Sequence, residues 1–132
     1  MVIDTSAIVA ILFQEPEHRE FAQLIYDAES RLMSAASALE ASIVVESAHG
    51  EIAAKKLEDF LQDAAISLID VDLQQVEIAR SAWRKYGKGR HRAALNFGDC
   101  FVYALAKVKG EPVLAKGNDF RLTDIEVCAT QA

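Results

Sequence analysis

Apolar positions fall into two patterns along the chain: short continuous runs, and longer stretches with helical spacing. The runs predict strands at residues 2–4, 31–35, 66–71 and 112–115, and an edge strand at 125–128. Apolar residues spaced three and four apart predict helices at residues 5–13, 18–29, 37–48, 52–64, 73–86 and 97–109. Short strands that alternate with amphipathic helices indicate an α/β protein with a parallel sheet covered on both faces.

Capping residues mark several of the predicted helix ends. Asp72 and Asn96 precede two helices as N-caps, and Gly87 and Gly110 follow the same two helices as stop signals. No internal repeat, low-complexity segment or linker rich in proline and serine divides the sequence. The pattern therefore predicts a single domain over residues 1–132.

Four acidic residues stand at strand ends and helix starts. Asp4 ends the first strand, and Asp119 lies in a turn just past the fourth. Glu40 and Asp99 lie near the starts of helices and are followed by apolar residues. Because these positions meet at one edge of a parallel sheet, we expect the four side chains to converge.

Each acid also has a purely structural interpretation. Asp4 could precede a helix cap, and Glu40 could interact with the dipole in the first turn of its helix. Asp99 could complete a capping box begun by Asn96, and Asp119 could serve turn geometry. Convergence separates the two interpretations, because four carboxylates would repel one another by roughly several kcal/mol without a cation. Oxygen ligands alone favour Mg²⁺ or Mn²⁺.

The charge distribution changes what the net charge of −6 suggests. That total argues against a polyanionic partner, but residues 84–92 read RKYGKGRHR and can hold a phosphate backbone locally. The expected phosphate contacts are Lys88, Arg90 and Arg92. No apolar run has the roughly 18 residues of a membrane span, and no secretory signal is visible, so we expect a cytoplasmic protein.

Segments along the whole chain resemble a known family in the right order. They are VIDTSA at 2–7, the helix with Glu40, GKGRHRAALNFGDCFVYALA at 87–106 and KGNDF at 116–120. Together they resemble the PIN-domain ribonucleases and, more narrowly, the VapC toxins of bacterial toxin–antitoxin pairs. The resemblance implies a three-layer α/β/α sandwich with a short parallel sheet and a Mg²⁺-dependent endoribonuclease. It also implies a homodimer and a small VapB-like antitoxin partner.

The resemblance also assigns roles to individual residues. Asp4, Glu40 and Asp99 match the three most regular acids of the family, and we expect Asp4 and Asp99 to be the direct metal ligands. Ser6 resembles a polar residue that hydrogen-bonds near the metal. Related sequences often read Gly-Asp-Asp-Phe where this chain has Gly-Asn-Asp-Phe, which leaves the fourth acidic position open between Asn118 and Asp119.

Two other functions are compatible with the pattern. A receiver-type phosphoacceptor domain is also a parallel α/β protein with an acidic pocket, and Lys116 could be the lysine that such domains carry near a late strand. A catalytically inactive PIN-like binding module could use the acids to accept an arginine of a partner. For an antitoxin helix, the candidate apolar faces are those of residues 21–25 and 43–44.

Overall fold

The computed structural model describes residues 1–128, in which a four-stranded parallel sheet lies between two layers of helices. The strands are β1 (Val2–Ile3), β2 (Leu32–Ser34), β3 (Ser67–Ile69) and β4 (Val113–Leu114). The α-helices are α1 (Thr5–Leu12), α2 (His18–Asp27), α3 (Ala35–Asp63), α4 (Leu73–Tyr86) and α5 (Phe97–Lys109). A short 3₁₀ helix follows at Phe120–Leu122.

The strand order places a crevice beside β1. The sheet runs β3-β2-β1-β4, so the chain moves outward from β1 through β2 and β3 and then returns to the other side of β1. Val2 pairs with Val113, and Ile3 pairs with Leu114. In open parallel sheets ligands bind where the strand order reverses, at the carboxyl ends of the strands. Here that point lies between β1 and β4.

Side chains of β1 and β4 alternate between two hydrophobic cores. Ile3 and Leu114 pack into a core shared with α1, α2 and α3, which includes Phe21, Ile25 and Leu57. Val2 and Val113 face the opposite core, which is built mainly from α4 and α5. The alternation buries both faces of the sheet. The predicted three-layer α/β/α sandwich is therefore confirmed.

The predicted bounds of α4 and α5 are confirmed because their capping residues form the expected hydrogen bonds. Asp72 Oδ1 accepts the Gln75 N–H at 2.9 Å, and Asn96 Oδ1 accepts the Asp99 N–H at the same distance. Gly110 ends α5 in the left-handed conformation, at φ 63°. Local capping chemistry thus fixes these two helices.

The structure corrects three other expectations. The helix predicted at 37–48 begins earlier, at Ala35, because Ser34 rather than a later serine caps it. The expected break before residue 52 is a kink at Gly50, where φ is 81°. The edge strand expected at 125–128 is only an isolated parallel bridge between Val113 and Val127.

The prediction that the α2 face of residues 21–25 binds an antitoxin helix is wrong. Phe21 and Ile25 are each only 2% exposed, because α2 turns this face into the core. Ile43 and Val44 on α3 remain exposed, so the second candidate face stays available. Within residues 1–128 no helix is both long enough and apolar enough to cross a membrane.

Candidate active site

The crevice between β1 and β4 is organised around Asp4. This residue caps α1, and its Oδ2 accepts the Ser6 N–H at 3.0 Å. Its backbone N–H donates to the Leu114 carbonyl at 2.9 Å. Ser6 Oγ accepts the Lys116 N–H at 2.9 Å, which ties the start of α1 to the end of β4. These bonds hold a nearly buried carboxylate, only 7% exposed, at the switch point of the sheet.

Helices α3 and α5 bring two further acids to the crevice. The Thr5 hydroxyl donates to the Ser37 carbonyl at 3.1 Å and joins α1 to the first turn of α3. Glu40 lies in the next turn, with its carboxylate directly against Gly98 of α5. A Cβ atom built on Gly98 would lie 2.6 Å from Glu40 Oε2. The absence of a side chain at Gly98 therefore lets Glu40 approach the helix turn that carries Asp99.

The capping and turn roles that the sequence suggested for these acids are present for Asp99 but absent for Glu40 and Asp119. The capping box is present, since Asp99 Oδ2 accepts the Asn96 N–H at 3.0 Å. Asp99 Oδ1 is left outside this box. Glu40 lies beyond the first turn of α3, which contains no acid, so a first-turn dipole interaction does not explain it. Asp119 precedes the 3₁₀ helix without forming a side-chain cap.

Asp99 lies within electrostatic reach of each of the other three acids. The pKa of Asp99 is raised from 3.8 to about 6: burial is the largest cause, the Asn96 N–H bond opposes it, and the charges of Asp4, Asp119 and Glu40 add to the rise. Burial also raises the pKa of Asp4, with a smaller contribution from Glu40. The expectation that these acids form one site remains a prediction, which this mutual influence supports. In the turn that precedes the 3₁₀ helix, the negative charge that acts on Asp99 is that of Asp119, since Asn118 is neutral.

The donor set fits a hard divalent cation. Within residues 1–128 none of the four carboxylates forms an ion pair, although Asp4 is nearly buried. In the same part of the chain, no group of three or more Asp, Glu, His or Cys side chains is close enough to coordinate a metal ion without other ligands. Mg²⁺ retains several waters and is commonly held by only one or two carboxylates. The loose oxygen cluster therefore suits Mg²⁺ better than zinc, which needs a closed set of ligands.

The raised pKa of Asp99 predicts that the metal-free protein loses stability as the pH rises. The folded carboxyl binds its proton more tightly than the unfolded one, so this stabilisation is complete below 3.8 and is lost as the pH passes about 6. Urea unfolding in a chelator should show the loss in the parent and a flatter profile for Asp99→Asn. Identical pH profiles for the two proteins would contradict the shift.

The basic segment forms a closed loop next to α5. The Lys88 N–H donates to the Leu95 carbonyl, and the Leu95 N–H donates to the Tyr86 carbonyl, at 2.9 and 3.0 Å. Lys88, Arg90 and Arg92 are all exposed, as expected for phosphate contacts. His91 is instead part of the framework, since its Nδ1 accepts the Ala93 N–H at 3.0 Å.

Asn118 and Lys116 lie in the exposed turn after β4. The side chain of Asn118 is exposed, and its backbone carbonyl accepts the Arg121 N–H at 3.0 Å. Lys116 Nζ pairs with Glu15 at 2.7 Å and with Glu17 at 3.4 Å. The receiver-type interpretation is wrong on a second ground, because that class has the strand order 2-1-3-4-5.

Sequence reasoning missed two residues that shape this region. Gly98 lies inside the first turn of a helix, where glycine is unfavourable, and this signal could have marked a close approach. Trp83 is 44% exposed on α4, with the Arg90 guanidinium 4.4 Å from the centre of its ring. No local pattern revealed that contact, because it depends on the path of the basic loop.

Comparisons with known proteins identify the family. The PIN domain model matches residues 1–126. "Ribonuclease VapC" of Mycolicibacterium smegmatis is 54% identical over 125 residues, which cover 95% of this chain and 97% of that protein. "Ribonuclease VapC30" of Mycobacterium tuberculosis is 50% identical over 129 residues, which cover 98% of each chain.

Solved structures support the fold. The Mycobacterium tuberculosis toxin VapC20, described as cleaving the sarcin–ricin loop, has a TM-score of 0.78 at 17% identity and 98% coverage of both chains. A toxin–antitoxin complex from Klebsiella pneumoniae has a TM-score of 0.73 at 16% identity, covering 96% of this chain and 95% of that one. The family model and the close relatives together settle the assignment: the chain belongs to the PIN-domain family and, within it, to the VapC ribonucleases.

Proposed function

We propose that this ribonuclease cuts within RNA chains with Mg²⁺, or Mn²⁺, bound among Asp4, Glu40, Asp99 and Asp119, and that it is the toxin of a toxin–antitoxin pair. The observation that supports the metal site is that the charges of Asp4, Glu40 and Asp119 all raise the pKa of Asp99, and that none of these acids forms an ion pair within residues 1–128. The names of the close relatives support RNA as the substrate.

The four acids would have two different roles, metal binding and proton transfer. Asp4 and Asp99 would hold the metal, since each keeps one carboxylate oxygen free of its capping bond. Bound there, Mg²⁺ would act as a Lewis acid toward the phosphodiester and orient the attacking water. Glu40 or Asp119 would accept the proton of that water as its oxygen bonds to phosphorus, and the P–O bond to the leaving ribose oxygen would break. Ser6 keeps Asp4 in place through its backbone N–H.

Cleavage by the purified protein tests this proposal. Labelled RNA should be cut at internal positions in Mg²⁺ or Mn²⁺ and remain intact in excess chelator. Glu40→Gln should lose activity, whereas Glu46→Gln, at an exposed acid on the same helix, should retain it. If all preparations leave RNA intact under every metal condition, the inactive binding module becomes the better interpretation.

Removing Arg90 and Arg92 should weaken RNA binding and flatten its dependence on salt. Both side chains are exposed on the loop beside α5 and can contact phosphates together with Lys88. The slope of log affinity against log salt should fall by roughly 0.7 for each lost contact with single-stranded RNA. Affinities of the parent and the double alanine variant at several salt concentrations measure this, and equal slopes would exclude the loop.

A small VapB-like antitoxin would act on the same acids. Leu39, Ile43, Val44 and Phe101 line a cavity of about 430 Å³ that also reaches Glu40. An amphipathic helix could bury its apolar face there and place an arginine among the carboxylates, displacing Mg²⁺. The solved toxin–antitoxin complexes of similar fold support a protein partner. An antitoxin whose arginine becomes alanine should still bind but inhibit poorly at high Mg²⁺.

The remaining parts of the proposal concern assembly and location. We expect the chain to form one nuclease domain and to assemble as a homodimer. Sedimentation would measure the mass of the assembly, and a monomeric mass at all concentrations would contradict the homodimer. Exposed apolar side chains on α3 and α5 support self-association. We also expect a cytoplasmic protein, in which Cys100 and Cys128 remain the free thiols seen here.

A further inference from the structure

The segment that carries Asp119, residues 116–124, has little regular structure of its own. It begins just after β4 and contains only the short 3₁₀ helix. Phe120 is its one buried side chain, and it packs into the core beside Tyr103. Asp119 forms neither a side-chain cap nor an ion pair within residues 1–128. The position of its carboxylate therefore depends on how the rest of the segment is held.

One end of the segment is bonded to the loop between α1 and α2. Lys116 Nζ lies 2.7 Å from Glu15 Oε1 and 3.4 Å from Glu17 Oε2, and we call this group the loop anchor. Glu17 Oε2 is buried without a hydrogen-bond partner in the described chain, so the Lys116 charge offsets part of its desolvation cost. The Glu15 N–H donates to the Ala10 carbonyl of α1 at 2.9 Å. The loop anchor thereby ties the segment to the helix that Asp4 caps.

The other end of the segment is bonded to α5. Asp124 Oδ1 accepts the Tyr103 hydroxyl and Asp124 Oδ2 accepts the Lys107 ammonium, both at 2.6 Å, and we call this group the helix anchor. Tyr103 and Lys107 follow Asp99 at intervals of four residues, so the three side chains lie along one face of α5. The helix anchor therefore fixes the segment to the face of α5 that carries Asp99.

The protonation states of both anchors favour lasting bonds. The bond to Glu15 raises the pKa of Lys116, so the ammonium stays charged. Burial, followed by the bond to Asp124, raises the pKa of Tyr103, so its hydroxyl remains a donor. Burial acts to raise the pKa of Asp124, but the bonds from Lys107 and Tyr103 outweigh it and lower that pKa. Both anchors therefore keep their charges and their donors at neutral pH.

The two anchors connect the segment to opposite layers of the sandwich. Helices α1 and α2 pack on one face of the sheet, and α5 packs on the other. Ion pairs that are partly open to solvent, as these are, contribute little to stability. Their bonds do restrict the segment, because Phe120 alone would allow it to turn about a single apolar contact. The anchors therefore determine the orientation of the segment more than the stability of the fold.

Resting on the proposed ribonuclease function, we propose that Lys116 and Asp124 are positioning residues for Asp119. Neither residue touches the metal or the RNA. Bonded to opposite layers, they hold the Asp119 carboxylate towards Asp4 on α1 and Asp99 on α5. Loss of either anchor lets the segment turn and moves that carboxylate away from the metal and its waters. The fourth acid is thus placed by charged residues on either side of it along the chain.

Two neutral variants of the full-length protein test the anchors one at a time. Asp124→Asn keeps an acceptor for Tyr103 but loses the charge that binds Lys107, and Lys116→Met removes the ammonium of the loop anchor. Each should lower Mn²⁺ affinity and kcat for RNA cleavage by about 10-fold, the lower end of the range for residues around metal ligands. KM should change little, and the free energy of unfolding in urea with a chelator should stay close to that of the parent.

Matched variants separate positioning from a general effect of charge. Lys116→Arg keeps the cation of the loop anchor and should retain the Mn²⁺ affinity of the parent. Lys109→Met and Glu126→Gln are the controls, because both side chains are exposed and form no ion pair within residues 1–128. In an Asp119→Asn background, Asp124→Asn should cause no further loss, since no carboxylate remains there to be displaced.

Three results would overturn the positioning role and leave the ribonuclease proposal intact. Unchanged Mn²⁺ affinity in both neutral variants, with or without a loss of stability, would make the anchors purely structural. Equal losses from Asp124→Asn with and without the Asp119 carboxylate would mean that the helix anchor acts elsewhere. A raised KM for Lys116→Met, with a salt slope lower by roughly 0.7, would make Lys116 a phosphate contact. A parent protein that neither binds Mn²⁺ nor cleaves RNA would overturn both proposals.

Discussion

Replacing Asp99 with asparagine is expected to abolish RNA cleavage and to leave the metal-free fold at least as stable as the parent. Asparagine can still accept the Asn96 N–H, so the capping box survives. Its neutral amide removes the repulsion that Asp4, Asp119 and Glu40 exert on this position. Loss of a residue that merely supports a metal ligand typically lowers activity by about 10- to 100-fold, and loss of a proposed ligand should cost at least as much.

Two measurements on Asp99→Asn separate catalysis from stability. Initial cleavage rates in saturating Mg²⁺ give the loss of activity, and urea unfolding in a chelator gives the free energy of unfolding. Mg²⁺ should raise the melting temperature of the parent much more than that of the variant. A variant that unfolds far more easily than the parent without metal would show that Asp99 serves mainly the helix cap.

The Gly98→Ala substitution should damage the active site without damaging the fold. The added methyl group would lie 2.6 Å from Glu40 Oε2, and the flexible glutamate side chain can move away at little cost. Alanine also favours a helix over glycine by up to about 1 kcal/mol, so stability should be unchanged or higher. A displacement of about 1 Å at a catalytic group can lower the rate by about 100-fold, and we expect a loss of that order.

A double-mutant cycle with Glu40→Gln identifies the cause. If Gly98→Ala acts only by displacing Glu40, the double variant should cleave RNA no more slowly than Glu40→Gln alone. Mn²⁺ affinity, measured by titration calorimetry, should follow the same pattern and does not depend on turnover. Additive losses in the double variant would mean that the methyl group acts elsewhere in the site.

Sequence predicted the parts of the fold that local chemistry determines. The bounds of α4 and α5 follow from Asp72 and Asn96 as caps and from the glycines after each helix. The start of α3 did not follow, because Ser34 and Ser37 can each cap a helix and the local sequence does not distinguish them. The face of Phe21 and Ile25 was misassigned since helical periodicity shows which face is apolar but not what covers it.

The candidate site was predictable as far as strand ends and helix starts define it. The charges of Asp4 and Glu40 raise the pKa of Asp99, as expected for positions that a parallel sheet brings to one edge. The contact between Gly98 and Glu40 joins α3 to α5, which are distant in sequence, and therefore required the structure.

Sequencing the RNA ends that appear after brief production of the protein in cells tests the metal-site ribonuclease most directly. The parent should create new ends at defined internal positions, and Asp4→Asn should create none at the same protein level. Asparagine caps helices as well as aspartate does, so this variant should fold. Two results would contradict catalysis by the four carboxylates. One is new RNA ends at the same positions with Asp4→Asn, and the other is no new RNA ends with a parent protein that is folded.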